Sequence, residues 1–212
     1  INPEEVGNNR NIVISDQSGK SNIISRLKTI NISINENDPK IKKLLNEVKD
    51  REFIGYSYDG ADASFELLAR RIIGEIPRYI SISEYDVSVK KNSAGKIVSS
   101  AKALLEVDGE KILCTGEGNG PVNALDNAIR QNVDKLVKYS KYLKDLKLVD
   151  YKVRILNTGT EAVTRVSIES TDSNGKNWFT IGVSTNIIDA SFKALIDSLD
   201  YKLFKDNAPA SK

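Results

Sequence analysis

The chain has 212 residues, 40% hydrophobic and 28% charged, the usage of an ordinary globular protein with one or two domains. Lys and Arg total 31 against 29 for Asp and Glu, a net charge of +2 that is too balanced to attract a phosphate backbone, so nucleic acid is not an expected partner. Histidine is absent, which removes Ser-His-Asp, Cys-His and His-metal chemistry from these residues.

No apolar run approaches the roughly 18 residues that cross a bilayer, and Ile1-Asn2-Pro3-Glu4-Glu5 has neither the basic nor the apolar part of a secretion signal. The expectation is a cytoplasmic chain with no membrane partner, whose missing initiator Met places the true N-terminus elsewhere. Cys114 has no intramolecular cysteine to pair with and sits in Ile112-Leu113-Cys114, the setting of a packed strand residue. Asp145, Asp150 and Glu161 read as scattered solvated charges rather than a carboxylate pair.

In chain order, Ser21-Asn22 is the expected cap of a short helix carrying Ile23, Ile24 and Leu27. Asp38-Pro39 starts a second helix with Ile41, Leu44, Leu45 and Val48 on one face. A third begins near Asp59-Gly60, places Ala61, Phe65, Leu68 and Ile72 at spacings of four, three and four, and ends near Gly74 ahead of Pro77. From Tyr85 the pattern alternates, with Val87 and Val89 in one strand and Ala101, Ala103, Leu105 and Val107 in the next. Asp108-Gly109 marks a two-residue hairpin into Lys111-Ile112-Leu113-Cys114, and a helix after Pro121 carries Val122, Leu125, Ile129 and Val133.

This strand-strand-strand-helix unit occurs twice. Tyr151 lies 66 residues after Tyr85, and the same offset relates Val87 to Val153, Gly109 to Gly175, Gly116 to Gly182, Ala124 to Ala190 and Ala128 to Ala194. Asn174-Gly175 repeats the first hairpin signal, while Ala101 and Ala103 align with Val166 and Ile168 at an offset of 65. The expected fold is therefore α+β: a small helical linker subdomain over 1–80, then a domain over 85–204 made of two pseudo-symmetric βββα units, 85–138 and 151–204. Each three-stranded sheet has a face to cover and edges to protect, so the units pack together either as a twofold homodimer or as a monomeric α+β domain.

Gly116-Glu117-Gly118-Asn119-Gly120-Pro121 is glycine-rich but lacks the Lys-Ser/Thr of a P-loop and the spacing of a dinucleotide fingerprint. The Gly118, Asn119, Gly120 and Pro121 turn either brings helix-start amides to a carboxylate, as an amino acid or 2-oxo acid would require, or simply makes a tight strand-to-helix connection.

Gly55-Tyr56-Ser57-Tyr58-Asp59-Gly60-Ala61-Asp62-Ala63-Ser64-Phe65-Glu66-Leu67-Leu68 resembles the diagnostic segment of citramalate synthases of the isopropylmalate synthase superfamily. Val6-Gly7-Asn8, Ser18 to Ile23, Gly116 to Asp126, Leu148 to Val153 and Gly182 to Ser191 continue the resemblance over nearly the whole chain. The resemblance implies an enzyme condensing acetyl-CoA with pyruvate to (R)-citramalate, on a route to isoleucine. It also implies an N-terminal catalytic TIM barrel ahead of this chain, which would hold the divalent metal, and no cofactor in the residues present. Residues 1–80 then correspond to linker subdomains and 85–204 to a homodimeric regulatory domain. That domain binds a feedback inhibitor, isoleucine for citramalate synthases or leucine for isopropylmalate synthases. Carried across, the effector site comprises Val122, Asn123, Leu148, Tyr151, Ile155, Thr160, Thr164, Thr185 and Ile187. Two other readings compete: a freestanding amino-acid-binding module, and an autonomous enzyme, which the missing histidines and carboxylate pairs disfavour.

Overall fold

The computed structural model describes residues 19–77, 79–157, 159 and 162–211. Among the described residues three helices come first: α1 (Lys20–Thr29), α2 (Pro39–Phe53) and α3 (Asp62–Ile73). Asp38 caps α2 by accepting from Lys40 N, with Pro39 in the first turn, and Gly74 ends α3 in the left-handed region at φ 87°. The expected cap of α1 is corrected, because Gly19 is the cap and Ser21 and Asn22 lie inside the first turn. Likewise α3 starts at Asp62 with Ala61 as its cap, since Asp59-Gly60 is occupied by the preceding turn.

The strands form two separate antiparallel sheets of identical topology. β1 (Ser81–Lys91), β2 (Ile97–Val107) and β3 (Glu110–Gly118) make the first, in the order β1-β2-β3. β4 (Lys147–Ile155), β5 (Thr164–Thr171) and β6 (Asn177–Ser184) make the second, in the order β4-β5-β6. The residue-level repeat is visible in the register: Tyr85 faces Ala103 as Tyr151 faces Ile168, and Ala101 faces Gly116 as Val166 faces Gly182. A bulge between Ile82 and Glu84 recurs between Leu148 and Asp150, so both strands begin four residues earlier than expected.

Helices α4 (Pro121–Arg130) and α6 (Ile187–Lys205) cover the inner faces. Gly116 and Gly182 explain the closeness of that packing. A Cβ on Gly116 would sit 2.3 Å from Ala128 N and one on Gly182 2.0 Å from Ala190 O, so only a bare backbone fits against the repeated alanines. Val133 leaves the expected first helix. It lies in a 3-10 turn, Val133–Lys135, followed by the short α5 (Ser140–Leu143).

The two hairpins differ as well. Val107 pairs with Glu110 across a two-residue turn with Asp108 and Gly109 both at positive φ, whereas Thr171 pairs with Asn177 across five residues in which Gly175 has positive φ. Asp172 drives the longer loop by accepting from Asn174 N at 2.9 Å and from Lys202 Nζ at 2.9 Å. Asp145 is consequently not a free surface charge, because it too faces the 3% exposed Lys202.

Two hydrophobic cores result. The larger gathers Ala103, Leu105, Leu125, Leu136, Ile168, Leu195, Leu203 and the fully buried Cys114 between sheets and helices. The other gathers Ile23, Leu27, Ile41, Leu44, Val48 and Phe65 of the helical part together with Ile181 of β6. At that contact Ile181 N, on the outer edge of its sheet, donates to Ser64 Oγ of α3 at 2.9 Å, so the edge is capped by a side chain rather than left open. Arg71 extends the contact by donating to Asp197 and Asp200 of α6 at 2.9 and 2.8 Å.

Candidate functional site

Leu148 and Tyr151 are three residues apart, a spacing that puts strand side chains on opposite faces. The bulge between Leu148 and Asp150 absorbs one residue, so Leu148 pairs with Ser170 and Tyr151 with Ile168, both from the buried face of β5. Val153 and Ile155 follow on that face, opposite Val166 and Thr164. Four β4 side chains therefore line the inner face of an edge strand, which the α6 cover reaches only in part.

Tyr151 is held there by its hydroxyl, 2.8 Å from Ser191 Oγ, and Ser191 in turn donates to Ile187 O at 2.6 Å. Burial pushes the Tyr151 phenol above its ordinary value, with the Ser191 hydrogen bond opposing. The far end of the face is open: Ile155 is 71% exposed, while Ile187 at the α6 start is 42% exposed. Ile155, Thr164 and Ser184 form one row across the sheet, with Thr164 buried and Thr185 exposed just beyond. Leu148, Tyr151, Ile155, Thr164, Thr185 and Ile187 thus gather along one face and its end.

The remaining expected residues lie apart. Val122 and Asn123 occupy the first turn of α4, after the Gly118, Asn119, Gly120 and Pro121 turn. Asn123 Oδ1 accepts from Asn119 N at 3.2 Å, and a Cβ on Gly118 would lie 2.5 Å from that oxygen, so the turn is tight. Among the described residues, no hydrogen bond joins this turn to the β4 and α6 set. Thr160 lies outside the described residues.

The two helix starts also differ in the donors they present. Asn186 Oδ1 accepts from Ile188 N at 2.8 Å and Asp189 N at 3.4 Å, so the first amides of α6 already have a partner. Gly120, at the start of α4, has no side chain to cap Val122 and Asn123. Sequence reading missed Asn186 and Ser191, although Asn186-Ile187-Ile188-Asp189 has the spacing of a capping box. It also missed Arg165, which donates to Gly55 O at 2.6 Å and ties the segment after α2 to the strand carrying Thr164. Gly55 adopts φ 114°, and a Cβ there would lie 2.5 Å from Leu156.

Residues 59–203 match the family of LeuA allosteric (dimerisation) domains, which span the end of the helical part and both βββα units. This chain belongs to that family. As a LeuA allosteric (dimerisation) domain it is 44% identical over 209 residues to "(R)-citramalate synthase" of Aquifex aeolicus, covering 97% of this chain and 39% of that protein. It is 43% identical over 208 residues to "(R)-citramalate synthase" of Geobacter sulfurreducens, with the same shares. To "Probable 2-isopropylmalate synthase" of Methanopyrus kandleri it is 27% identical over 199 residues, covering 92% of this chain and 37% of that protein. The chain therefore spans about two fifths of the length of the relatives it matches. Among the described residues, no helix is long and apolar enough to cross a membrane.

Proposed function

We propose that this chain is the amino-acid-sensing, dimer-forming region of an acetyl-CoA:pyruvate acyltransferase of the citramalate synthase type, and that isoleucine is its effector. The observation that carries the reading is the open inner face of β4, where Ile155 and Val153 stand exposed beside Ile187 with the buried Thr164 below. Such a face offers an apolar slot for a branched side chain with hydroxyls and helix-start groups nearby. The names of its relatives support the citramalate-type activity.

In this reading residues up to about 80 connect the sensing domain to the rest of the protein. The α4 start, distant in bonding terms from the β4 set, is brought to it by a second copy of the chain. A twofold contact suits a molecule that leaves Val89, Ile97, Leu113, Val149 and Ile155 more than half exposed. Leucine sensing, as in isopropylmalate synthases, is the second reading; the likeness to a relative named as one favours it.

Calorimetric titration with isoleucine, leucine and valine separates the two. Isoleucine is expected to bind more tightly than valine by roughly 1–3 kcal/mol, the worth of one methylene in a shaped pocket, and more tightly than its isomer leucine because the slot fits a β-branched side chain. Ile155→Ala is expected to weaken isoleucine while light scattering still shows a dimer. Tighter binding of leucine moves the assignment to the second reading; no binding of either, or a monomer at micromolar concentration, overturns it.

A further inference from the structure

The turn that closes α2 is held by the second sheet as well as by its own helix. Gly55 stands at φ 114° just past the helix, where Gly55 N donates to Glu52 O at 3.0 Å and Tyr56 N reaches back to Arg51 O at 3.0 Å, the pattern of a glycine-terminated helix. The carbonyls of both residues accept from Arg165 of β5, Gly55 O from Nε at 2.6 Å and Tyr56 O from Nη2 at 3.4 Å. A cation suits the C-terminal end of a helix, and this one comes from 110 residues along the chain.

Strand alternation puts that contact on the reverse side of the proposed effector face. Ile155 pairs with Thr164 on the inner face, so their neighbours Leu156, Val163 and Arg165 point the other way. Leu156 N donates to Val163 O at 2.9 Å, which carries the pairing one residue past Ile155 and Thr164. A Cβ on Gly55 would meet the side chains of Leu156, Val163 and Val183 at 2.5, 3.3 and 3.3 Å, so the glycine is seated against these reverse-side residues. An occupant that orders Ile155 and Thr164 therefore also fixes Leu156, Val163 and Arg165, because the two sets alternate along the same strand ends.

The Arg165 contact is opposed as well as favoured. Arg154 stands directly opposite on β4, and burial followed by that like charge lowers the Arg165 pKa from its ordinary value, with Glu52 in the last turn of α2 opposing. Because a guanidinium keeps its charge, the disfavour falls on where it sits rather than on its protonation. A bond balanced in this way is one that a ligand of modest differential affinity can shift.

We propose that Arg165 is a positioning residue that couples occupancy of the β4 face to the end of α2. With the effector in place Arg165 holds the Gly55 and Tyr56 carbonyls, and without it that turn opens more often. The proposal rests on the effector reading above and assigns the route by which binding reaches the helical part.

The test reads hydrogen exchange of the Gly55 and Tyr56 amides by NMR, since their bonds to Glu52 O and Arg51 O break when the turn opens. Saturating isoleucine is expected to slow both several-fold. In Arg165→Met both should exchange about tenfold or more faster than in the unmodified chain, and isoleucine should no longer slow them although it still saturates the Ile155 and Ile187 methyl signals. Arg165→Lys should keep part of the response, and it carries the comparison if Arg165→Met fails to fold. Protection that survives in Arg165→Met, or none in the unmodified chain while Ile155 and Ile187 saturate, would overturn the proposal. A second arm needs no ligand. Thr164→Ala loosens the effector row and is expected to speed both amides in the unmodified chain but not in Arg165→Met, a non-additivity that a merely structural arginine would not produce. Additive effects overturn the coupling. Unmoved Ile155 and Ile187 signals overturn the effector reading alone, and the ligand-free arm then decides the coupling.

Discussion

The two βββα units share strand register, bulge position and glycine contacts, yet their helices have 10 and 19 residues. The difference begins at one pair of equivalent buried positions. Asn132 turns its carboxamide to Thr115 O and Ala128 O, both at 2.8 Å, and the first helix has ended by then. Ser198, its counterpart, bonds Ser170 and Trp178 from inside α6, and the helix continues. One turn later the first unit has the buried Leu136, where the second has Lys202 among Asp145, Asp172 and Asp206. A repeated backbone plan thus tolerates opposite chemistries at one place, provided that every buried polar group is paired.

Breaking that charge cluster should have the largest effect. Lys202→Met is expected to cost about 3–5 kcal/mol in urea unfolding, because three carboxylates lose their shared cation in a half-buried site. Leu136→Ala in the first unit should cost about 2–5 kcal/mol by leaving a cavity instead, and its cost should not vary with pH. That of Lys202→Met should. Burial raises Asp145 and Asp172, but the bonds that Asp145 accepts from Ser173 and Lys202, and Asp172 from Lys202 and Asn174 N, hold both below the ordinary carboxylate value. Their contribution is therefore present above about pH 4 and is lost as pH falls toward their folded values.

The glycine contacts test whether the units are equivalent where they look alike. Gly116→Val and Gly182→Val should each destabilise by about 3 kcal/mol, since the clash is with helix backbone in both. A large inequality between the two would show that one helix can move away and the other cannot.

Asp200 is buried against Arg71, whereas its first-unit counterpart Asp134 is exposed and pairs with Lys144. Burial pushes the Asp200 carboxyl up to about 7, with Arg71 opposing, so between about pH 4 and 7 the native state holds a proton that the unfolded state lacks. Stability should fall as pH rises through that window, by about 2 kcal/mol between pH 5 and 7, and Asp200→Asn should flatten the profile. An unchanged slope in the variant would show that Asp200 is ionised in the native state at pH 5. The smallest effect concerns the caps: Asn186→Ala should cost about 1 kcal/mol by thermal melt, whereas Gly120→Asn should gain a few tenths.

Local signals determined much of this molecule. Asp38-Pro39 and Gly74 bound helices because a capping carboxylate, a fixed φ and a left-handed glycine act within a few bonds. The internal repeat, read from tyrosines, glycines and alanines at constant offset, correctly announced two sheets of one register, and Cys114 was legible as core. The resemblance to citramalate synthases likewise rested on sequence alone.

Other features depended on long-range partners. The five-residue hairpin follows from Asp172 meeting Lys202, 30 residues away, and the early end of α4 from Asn132 reaching the carbonyl of Thr115. The shared face of Leu148 and Tyr151 needs a bulge that only pairing with β5 defines, and the docking of α3 on α6 needs Arg71 to meet Asp197 and Asp200. Chain-local preferences set each element's type, because they act through a residue's own dihedrals and near neighbours. Where elements stop, which face a side chain takes and which charges share a burial site are settled by contacts between residues that the chain separates, and those energies appear only once the fold has formed.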